Sequence, residues 1–227
     1  MSGMTEYLRR AVAPRLVVTT SRWRAPQRWR AAARRALGLR PRIELFFAFD
    51  DPYSAIALPG LIEIARCRDA ELRLLPLLVR GIDGDPAASQ RRLHAVTDSR
   101  RLALRDGRNL QRHAPLGAEE CAFLARWTAA AQDHPQLHAF VAAALHRLWF
   151  VSADAPRAQD FQALYLAHLG SAPPSEDPRI DRALTQNAER LRRLGHWESP
   201  AARVGGEWFF AHERLPQIDA CLRALGA

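Results

Sequence analysis

The chain has 227 residues, 48% hydrophobic and 25% charged, which is typical of a soluble globular protein and excludes a disordered or fibrous one. All 33 basic residues are arginine and the formal net charge is +9. The excess lies in residues 1–42, with 11 arginines against one acid, because residues 43–227 hold 22 arginines and 23 acids. The nearly neutral body lacks the basic surface that nucleic-acid binding requires.

The sequence shows no sign of export or membrane insertion. No apolar run approaches the roughly 20 residues of a membrane-spanning helix, and the run "LVVTT" is too short for the core of a signal peptide. We therefore expect a cytoplasmic protein without a transmembrane segment. Cys67, Cys121 and Cys221 form no C-x-x-C pair, so a redox dithiol and a thiolate zinc site are not encoded. We expect three small buried side chains instead.

Residues 1–42 form a basic N-terminal arm that contains a predicted amphipathic helix, "PQRWRAAARRALG". Its spacing places Trp29, Ala32, Ala33, Ala36 and Leu37 on one face, opposite the arginines. Such a helix can contact anionic lipid, RNA or an acidic protein. The alternative, which we favour, is that the apolar face packs against the body while the arginines stay solvated.

The body begins with a predicted parallel β-α-β unit. "RIELFFAF" reads as a buried strand, and Asp51 followed by Pro52 is the pattern of a helix N-cap with proline at the first helical position. The helix extends over 52–67 and contains Pro59, so we expect a kink. "ELRLLPLLV", residues 71–79, is the second strand. A strand, a helix and a strand in short order favour parallel pairing.

Helices dominate the middle of the chain, and a hairpin and a helix close it. The apolar periodicity predicts helices near 98–113, 118–132, 137–149, 157–169 and 178–194. "AARVGGEWFF" predicts a hairpin that turns at Gly205–Gly206, and residues 213–225 predict a last amphipathic helix.

Four stretches resemble the DsbA-like thioredoxin family, and within it the 2-hydroxychromene-2-carboxylate isomerases and the kappa-class glutathione transferases. They are "FFAFDDPYSAIALPGL", "RRLALRDGRNLQRHAPLG", "LHRLWFVSADAPRAQDFQALYLAHLG" and "LGHWESPAARVGGEWFFAHERLPQIDACL". The resemblance covers residues 43–227. It implies an α/β thioredoxin-like fold, in which a βαβ unit and a ββα unit are joined through a helical insertion at about residues 86–170. Members of the family are often dimers, so a homodimer is also implied.

The resemblance implies a ligand site at the first strand-to-helix junction. Redox members have Cys-Pro-His-Cys there, and isomerases and transferases have Ser-Pro-aromatic-Ser; this chain has Asp51, Pro52, Tyr53 and Ser54. A helix N-terminus suits a thiolate, but a carboxylate at position 51 caps the helix and repels a second negative charge. Asp51 as a general base is the alternative, although we expect a capping carboxylate to have a lowered pKa and to be a weak base.

The other junction residues leave alternatives open. Ser54 either hydrogen-bonds a bound thiol or packs in the first helical turn. Tyr53 either presents its hydroxyl to the ligand or covers the insertion. We expect Asp50 to be solvated or bonded to nearby backbone.

The resemblance places the second half of the site at "HWESPAARV". Pro200 matches the family's cis-proline, so we predict a cis Ser199–Pro200 bond that faces the first helix. In the family, the backbone of the residue before this proline pairs with a peptide-like ligand. The pair that opens the last helix and binds the γ-glutamyl end of glutathione corresponds to His212 and Glu213. Glu213 is equally explained as an acid that the helix dipole favours.

Two further patterns carry weaker signals. His134 and His138 are four residues apart, but no third metal ligand is evident, so we expect no metal. Trp127, Trp149 and Phe150 either line a pocket for an aromatic substrate or belong to the core, and we favour the core.

The site residues and the resemblance lead to two hypotheses for the function. One is a glutathione-dependent isomerase or transferase that acts on an unsaturated aromatic, chromene-type substrate, with Ser54 and the helix dipole activating the thiol. The other is a non-catalytic thiol-binding, peptide-binding or scaffold protein that uses the basic arm to bind a partner or a membrane. Dithiol oxidoreduction is excluded because the C-x-x-C pair is absent.

Overall fold

The computed structural model describes residue 29 and residues 32–34, 36–81 and 84–227. The elements from residue 42 onward are β1 Arg42–Ala48, α1 Pro52–Cys67, β2 Glu71–Leu77, α2 Ala88–Arg105, α3 Ala118–Ala130, α4 Leu137–His146 continued by a π-helix Arg147–Val151, α5 Ala158–Leu169, α6 Pro178–Arg193, β3 Ala201–Val204, β4 Glu207–Phe210 and α7 Leu215–Ala224. This is an α/β chain in which a β-α-β unit and a β-β-α unit flank an insertion of four helices, α2–α5.

The strands form one sheet with the order β2-β1-β3-β4. β1 pairs in parallel with β2, as the β-α-β pattern predicts, and antiparallel with β3. Phe46 lies at the centre of the sheet, opposite Leu75 on one side and Ala201 on the other. The carboxyl ends of β1 and β2 therefore lie at the same edge of the sheet.

Helices cover both faces of the sheet, which explains why β1 is apolar at almost every position. Ile43, Leu45 and Phe47 share the main core with residues of α1, α7 and the insertion. Phe46 and Ala48 point to the other face and pack with residues of α6. Successive side chains of a strand point to opposite faces of the sheet, so odd-numbered and even-numbered residues of β1 belong to different clusters.

Several boundaries and environments differ from the sequence predictions. The helix expected near 98–113 is α2, which lies further toward the N-terminus and ends before Gly107, whose φ of +69° suits glycine. α7 begins at Leu215, so His212 and Glu213 precede it instead of opening it. Cys121 and Cys221 are buried as expected, but Cys67 is exposed because it lies at the C-terminal end of α1.

The described part of the predicted arm helix is exposed to solvent. The apolar face that we expected to be covered is exposed: Trp29 is 78% exposed and Leu37 is 72% exposed, and Ala32, Ala33 and Ala36 are exposed as well. Ala33 and Leu37 line an open cavity of about 480 Å³ beside the β3–β4 turn. Residues 1–28, 30, 31 and 35 of the arm lie outside the described residues. No helix in the described part of the chain is long and apolar enough to cross a bilayer.

Truncation of Leu61 tests the packing of α1 on the sheet. Leu61 is fully buried in the main core, so Leu61→Ala should lower the free energy of unfolding by about 3 kcal/mol, measured by urea denaturation. The matched control is Leu166→Ala on α5, where the side chain is 54% exposed and the expected change is about 0.5 kcal/mol or less. Equal losses in the two variants would contradict the placement of α1.

Candidate functional site

The sequence starts α1 at the junction for a local reason. Asp51 has extended backbone (φ −108°, ψ 110°), and its Oδ1 accepts a hydrogen bond from the main-chain N of Tyr53 at 3.2 Å. Pro52 follows in the first turn, where its missing N–H costs nothing. Asp51 is therefore the N-cap that the sequence predicts, a role that stabilises the helix by about 1 kcal/mol.

The Asp51 carboxylate is fully buried and bonded to three further side chains. Arg80, just beyond β2, donates from Nη1 to Oδ1 at 3.0 Å. Ser54 donates from Oγ to Oδ2 at 3.3 Å, and Ser199 donates to the same oxygen at 3.0 Å. One carboxylate thus joins the first turn of α1, the end of β2 and the loop before β3.

The two halves of the expected site meet directly. The Ser199–Pro200 bond is cis, the isomer that the sequence analysis anticipates. Ser54 and Ser199 are 0% and 1% exposed, and Pro52 and Pro200 are buried. The main-chain N of Ser199 donates to Oε1 of Glu198 at 3.1 Å, so this N–H is already engaged. Because Ser54 and Ser199 are buried, a ligand would contact them only if the loop before β3 moved away from the start of α1.

The junction holds more acid than base. Arg80 lies 3.6 Å from Glu198 as well as 3.0 Å from Asp51, and its side chain is 9% exposed. Burial raises the pKa of Asp51 to about 7; the field of Arg80 opposes this shift, and Asp50 and Glu198 reinforce it. This contradicts our expectation that the pKa of Asp51, as a capping carboxylate, is lowered. Desolvation outweighs the cap and the ion pair because the Asp51 carboxyl is fully buried, and the neighbouring Asp50 and Glu198 add to the shift.

Asp50 is buried, which contradicts the expectation that it is solvated. It is 4% exposed, and neither carboxyl oxygen has a hydrogen-bond partner among the described residues. Burial raises its pKa to about 6, while the fields of Arg80 and Arg92 and its own main-chain N–H, which favours the carboxylate, lower it. An unpartnered buried carboxyl is costly in its charged form, so Asp50 and Asp51 both hold protons more strongly than ordinary aspartates.

Tyr53 turns toward the insertion. Its hydroxyl donates to Oδ2 of Asp98 on α2 at 2.9 Å, and its ring stacks on His212 with centroids 4.0 Å apart. Nδ1 of His212 is buried without a described partner, and burial lowers the pKa of this imidazole. Glu213 lies outside this stack, half exposed, with Oε1 3.7 Å from His212 Nε2. The structure therefore brings Tyr53 and His212 together but leaves Glu213 at the rim.

Two other sets of candidate residues have structural roles. Trp127, Trp149 and Phe150 are 0–8% exposed and belong to the main core. His138 contacts the carbonyl of Leu72, and His134 Nδ1 accepts from the main chain of Gln136. Among the described residues, no group of three potential metal ligands occurs.

Sequence reasoning missed the partners of the junction. Arg80, Asp98 and Glu198 were not singled out, although Arg80 follows directly on a predicted strand parallel to β1. The carboxyl ends of parallel strands share one edge of a sheet. Because Asp51 and Arg80 each follow one of two parallel strands, their contact could have been predicted from the sequence. Asp98 lies on a helix of the insertion, where no local pattern predicts its contact with Tyr53.

Two clefts lie beside the junction and share Val79 and Gly81 in their linings. One, of about 370 Å³, has mostly apolar walls from the end of β2, from α6 and from Trp197, which is 51% exposed. The other, of about 240 Å³, is lined by Arg80, Glu198 and charged residues near the start of α2, including Arg92. An apolar surface and a charged surface therefore adjoin the Asp51–Arg80 pair.

Solved structures of low sequence identity share this fold. A 2-hydroxychromene-2-carboxylate isomerase is 18% identical with a TM-score of 0.57, covering 80% of this chain and 94% of that one. A periplasmic thioredoxin-like protein from Salmonella enterica serovar Typhimurium is 15% identical with a TM-score of 0.53, covering 82% and 85%. A linker-deletion mutant of Proteus mirabilis ScsC is 12% identical with a TM-score of 0.54, covering 98% and 92%. The fold is therefore thioredoxin-like, as the sequence resemblance implies.

No family model matches the chain, and no curated protein matches it. The relationship to known proteins is thus established at the level of the fold.

Replacement of Asp50 tests the buried acidic cluster through pH. Between its ordinary pKa of 3.8 and about 6, folded Asp50 keeps a proton that the unfolded chain has released. The folded state then binds more protons, so its stability falls as the pH rises through this window. The unfolding free energy of the native sequence, relative to Asp50→Asn, should fall by about 2 kcal/mol from pH 4 to pH 7 in urea titrations.

A neutral buried group serves as the control for this experiment. Thr128 is fully buried and donates to the carbonyl of Leu124, so the difference between the native sequence and Thr128→Val should not vary with pH. A pH-independent difference for Asp50→Asn as well would show that Asp50 titrates alike in the folded and unfolded chain.

Proposed function

We propose that this thioredoxin-fold chain binds a small organic anion with an apolar body beside Arg80, and that it does not activate a thiol at the tip of α1. The observation that carries the proposal is the buried ion pair between Asp51 and Arg80, which occupies the position where the resembling isomerases and transferases hold a thiolate. A second negative charge at this helix tip would be repelled by Asp51 at close range.

The two clefts beside the junction supply the binding surface in this proposal. The apolar cleft has Trp197 and several aliphatic side chains as its walls, a lining typical of sites for flat apolar ligands. In the charged cleft Arg80 is paired with Asp51 and Glu198, and Arg91 with Asp85. Among the described residues of this lining, Arg92 is the guanidinium left to hold a carboxylate there through paired hydrogen bonds. An aromatic carboxylate that spans both clefts satisfies both surfaces.

A glutathione-dependent isomerase acting on a chromene-type carboxylate is the second candidate. The raised pKa values of Asp50 and Asp51, about 6 and about 7, favour it because proton transfer near neutral pH is most efficient for groups that titrate there. In this function Ser54 would contact the thiol and Ser199 would pair with the tripeptide, which requires the junction to open. The carboxyl groups would transfer the proton in the isomerisation.

In this proposal the basic arm, residues 1–42, binds a separate partner. The exposed Trp29 and Leu37 favour contact with another molecule over packing against the body, and the balance of 11 arginines to one acid in residues 1–42 favours an anionic partner. Anionic lipid, RNA and an acidic protein all have this chemistry.

Binding of 2-naphthoate, an aromatic carboxylate, tests the first function. Calorimetry should give saturable binding to the native chain, weakened about tenfold by Trp197→Ala and about fivefold by Arg92→Gln. The control is Trp29→Ala, which removes an exposed tryptophan far along the chain and should bind normally. Equal affinity in all four proteins would contradict the assignment of the clefts.

An activity assay distinguishes the second function. Reduced glutathione and a chromene-type carboxylate should give no turnover with the native chain if the protein only binds. Turnover that is lost in both Asp51→Asn and Ser54→Ala would instead establish an isomerase at the junction.

A further inference from the structure

A further cavity, separate from those described above, lies in the helical insertion, away from the junction. It has a volume of about 520 Å³, and its walls come from Arg112, from the π-helix after α4 and from the start of α5. Arg112, Arg147 and Arg157 line it together with apolar side chains that include Leu148 and Phe161. Neither the predicted site residues nor the clefts beside Arg80 belong to this cavity.

Arg112 is a buried cation held by neutral groups. It is 5% exposed; Nε donates to the carbonyl of Leu148 at 3.0 Å, and Nη2 donates to the carbonyl of Asp154. Within the described part of the chain its guanidinium forms no salt bridge with a carboxylate. Burial lowers the pKa of Arg112, and the fields of nearby acidic groups, including Glu120 and Asp154, oppose the shift only in part, as expected for a desolvated cation without a direct carboxylate partner.

The surrounding charges leave the cavity positive. Arg157 is paired with Asp160, with Nε 3.1 Å from the carboxylate. Arg147 is exposed, and its guanidinium lies over the ring of Phe161 at 5.5 Å. Asp154 is the acid that remains; it is exposed and its Oδ2 lies 3.5 Å from the hydroxyl of Ser152. The lining therefore holds three arginines and two aspartates, and Glu120 lies close enough to act on Arg112.

The backbone geometry fixes Arg112 at this position. The chain widens into the π-helix Arg147–Val151, a form that is frequent at functional sites. The carbonyl of Trp149 accepts from the main-chain N atoms of Gln111 and Arg112 at 3.0 and 3.3 Å. The guanidinium is thus anchored through both its main chain and its side chain, a preorganised arrangement that lowers the cost of binding.

We propose that this cavity binds a small organic oxyanion, with the carboxylate or phosphate group on Arg112 and Arg147 and the apolar body against Leu148 and Phe161. Planar guanidinium groups match both kinds of headgroup through paired, charge-assisted hydrogen bonds. The volume lies within the range of small-molecule sites. This site is independent of the function proposed for the junction.

Binding of benzoate and phenyl phosphate tests the proposal. The Trp197→Ala protein serves as the parent, because it removes the contribution of the apolar cleft beside Arg80. Titration calorimetry should show saturable binding with a Kd of about 1 mM or tighter for at least one probe. Arg147→Gln should weaken it about tenfold, and Arg112→Lys, which keeps the charge but loses the planar fork, by a similar or larger factor.

Arg105→Gln is the matched control. Arg105 is an exposed arginine at the end of α2 that pairs with Asp106 and lies outside the cavity lining, so its replacement should leave the affinity unchanged. Because Arg147 is exposed, Arg147→Gln should fold normally even if Arg112→Lys does not. Competition by inorganic phosphate would assign the headgroup site to any oxyanion, and competition by acetate alone would assign it to carboxylates.

Two results would overturn the proposal. One is the absence of saturable binding by either probe. The other is binding that Arg147→Gln leaves at the parent's affinity, which would restrict Arg112 to tying the π-helix to the segment before α3.

Discussion

The conformation of the junction depends on one requirement: the carboxylate of Asp51 is fully buried and must be compensated. Arg80, Ser54, Ser199 and the first turn of α1 supply its partners. Removal of one partner from a buried ion pair leaves an uncompensated charge, at a cost of about 3–5 kcal/mol. The end of β2, the start of α1 and the loop before β3 are therefore held in one arrangement by a residue that also caps a helix.

The same arrangement determines which chemistry the junction supports. Burial raises the pKa values of Asp50 and Asp51; the field of Arg80 opposes the rise at both groups, and the nearby carboxyl of Glu198 adds to it. A helix N-terminus carries the positive end of the helix dipole and favours a bound anion. At α1 the carboxyl group of Asp51 lies in this field as the helix cap, and its raised pKa shows that burial outweighs the field.

Local patterns in the sequence were sufficient for most of the fold. The cap at Asp51, the parallel β-α-β unit and the turn at Gly205–Gly206 each depend on a few neighbouring residues, whereas the cis bond before Pro200 was expected only from the family resemblance. The failures concern quantities that tertiary structure sets. The raised pKa of Asp51 and the burial of Asp50 depend on elements distant in sequence, and the exposure of Trp29 depends on where the arm lies relative to the body. The spacing of residues along the chain does not determine these pKa values and exposures.

The helical insertion is structurally continuous with the junction through Trp149. Its indole N–H donates to the carbonyl of Phe49, the residue before Asp50, at 3.1 Å, and its own carbonyl accepts from the main chain of Arg112. The side chain is fully buried, so it cannot move without disturbing the core on both sides. The insertion thereby fixes the backbone that presents Asp50 and Asp51, while Tyr53 reaches back to Asp98 on α2. The acidic junction is consequently a property of the insertion and the sheet together, and a thioredoxin-like core without α2 and the π-helix would not reproduce it.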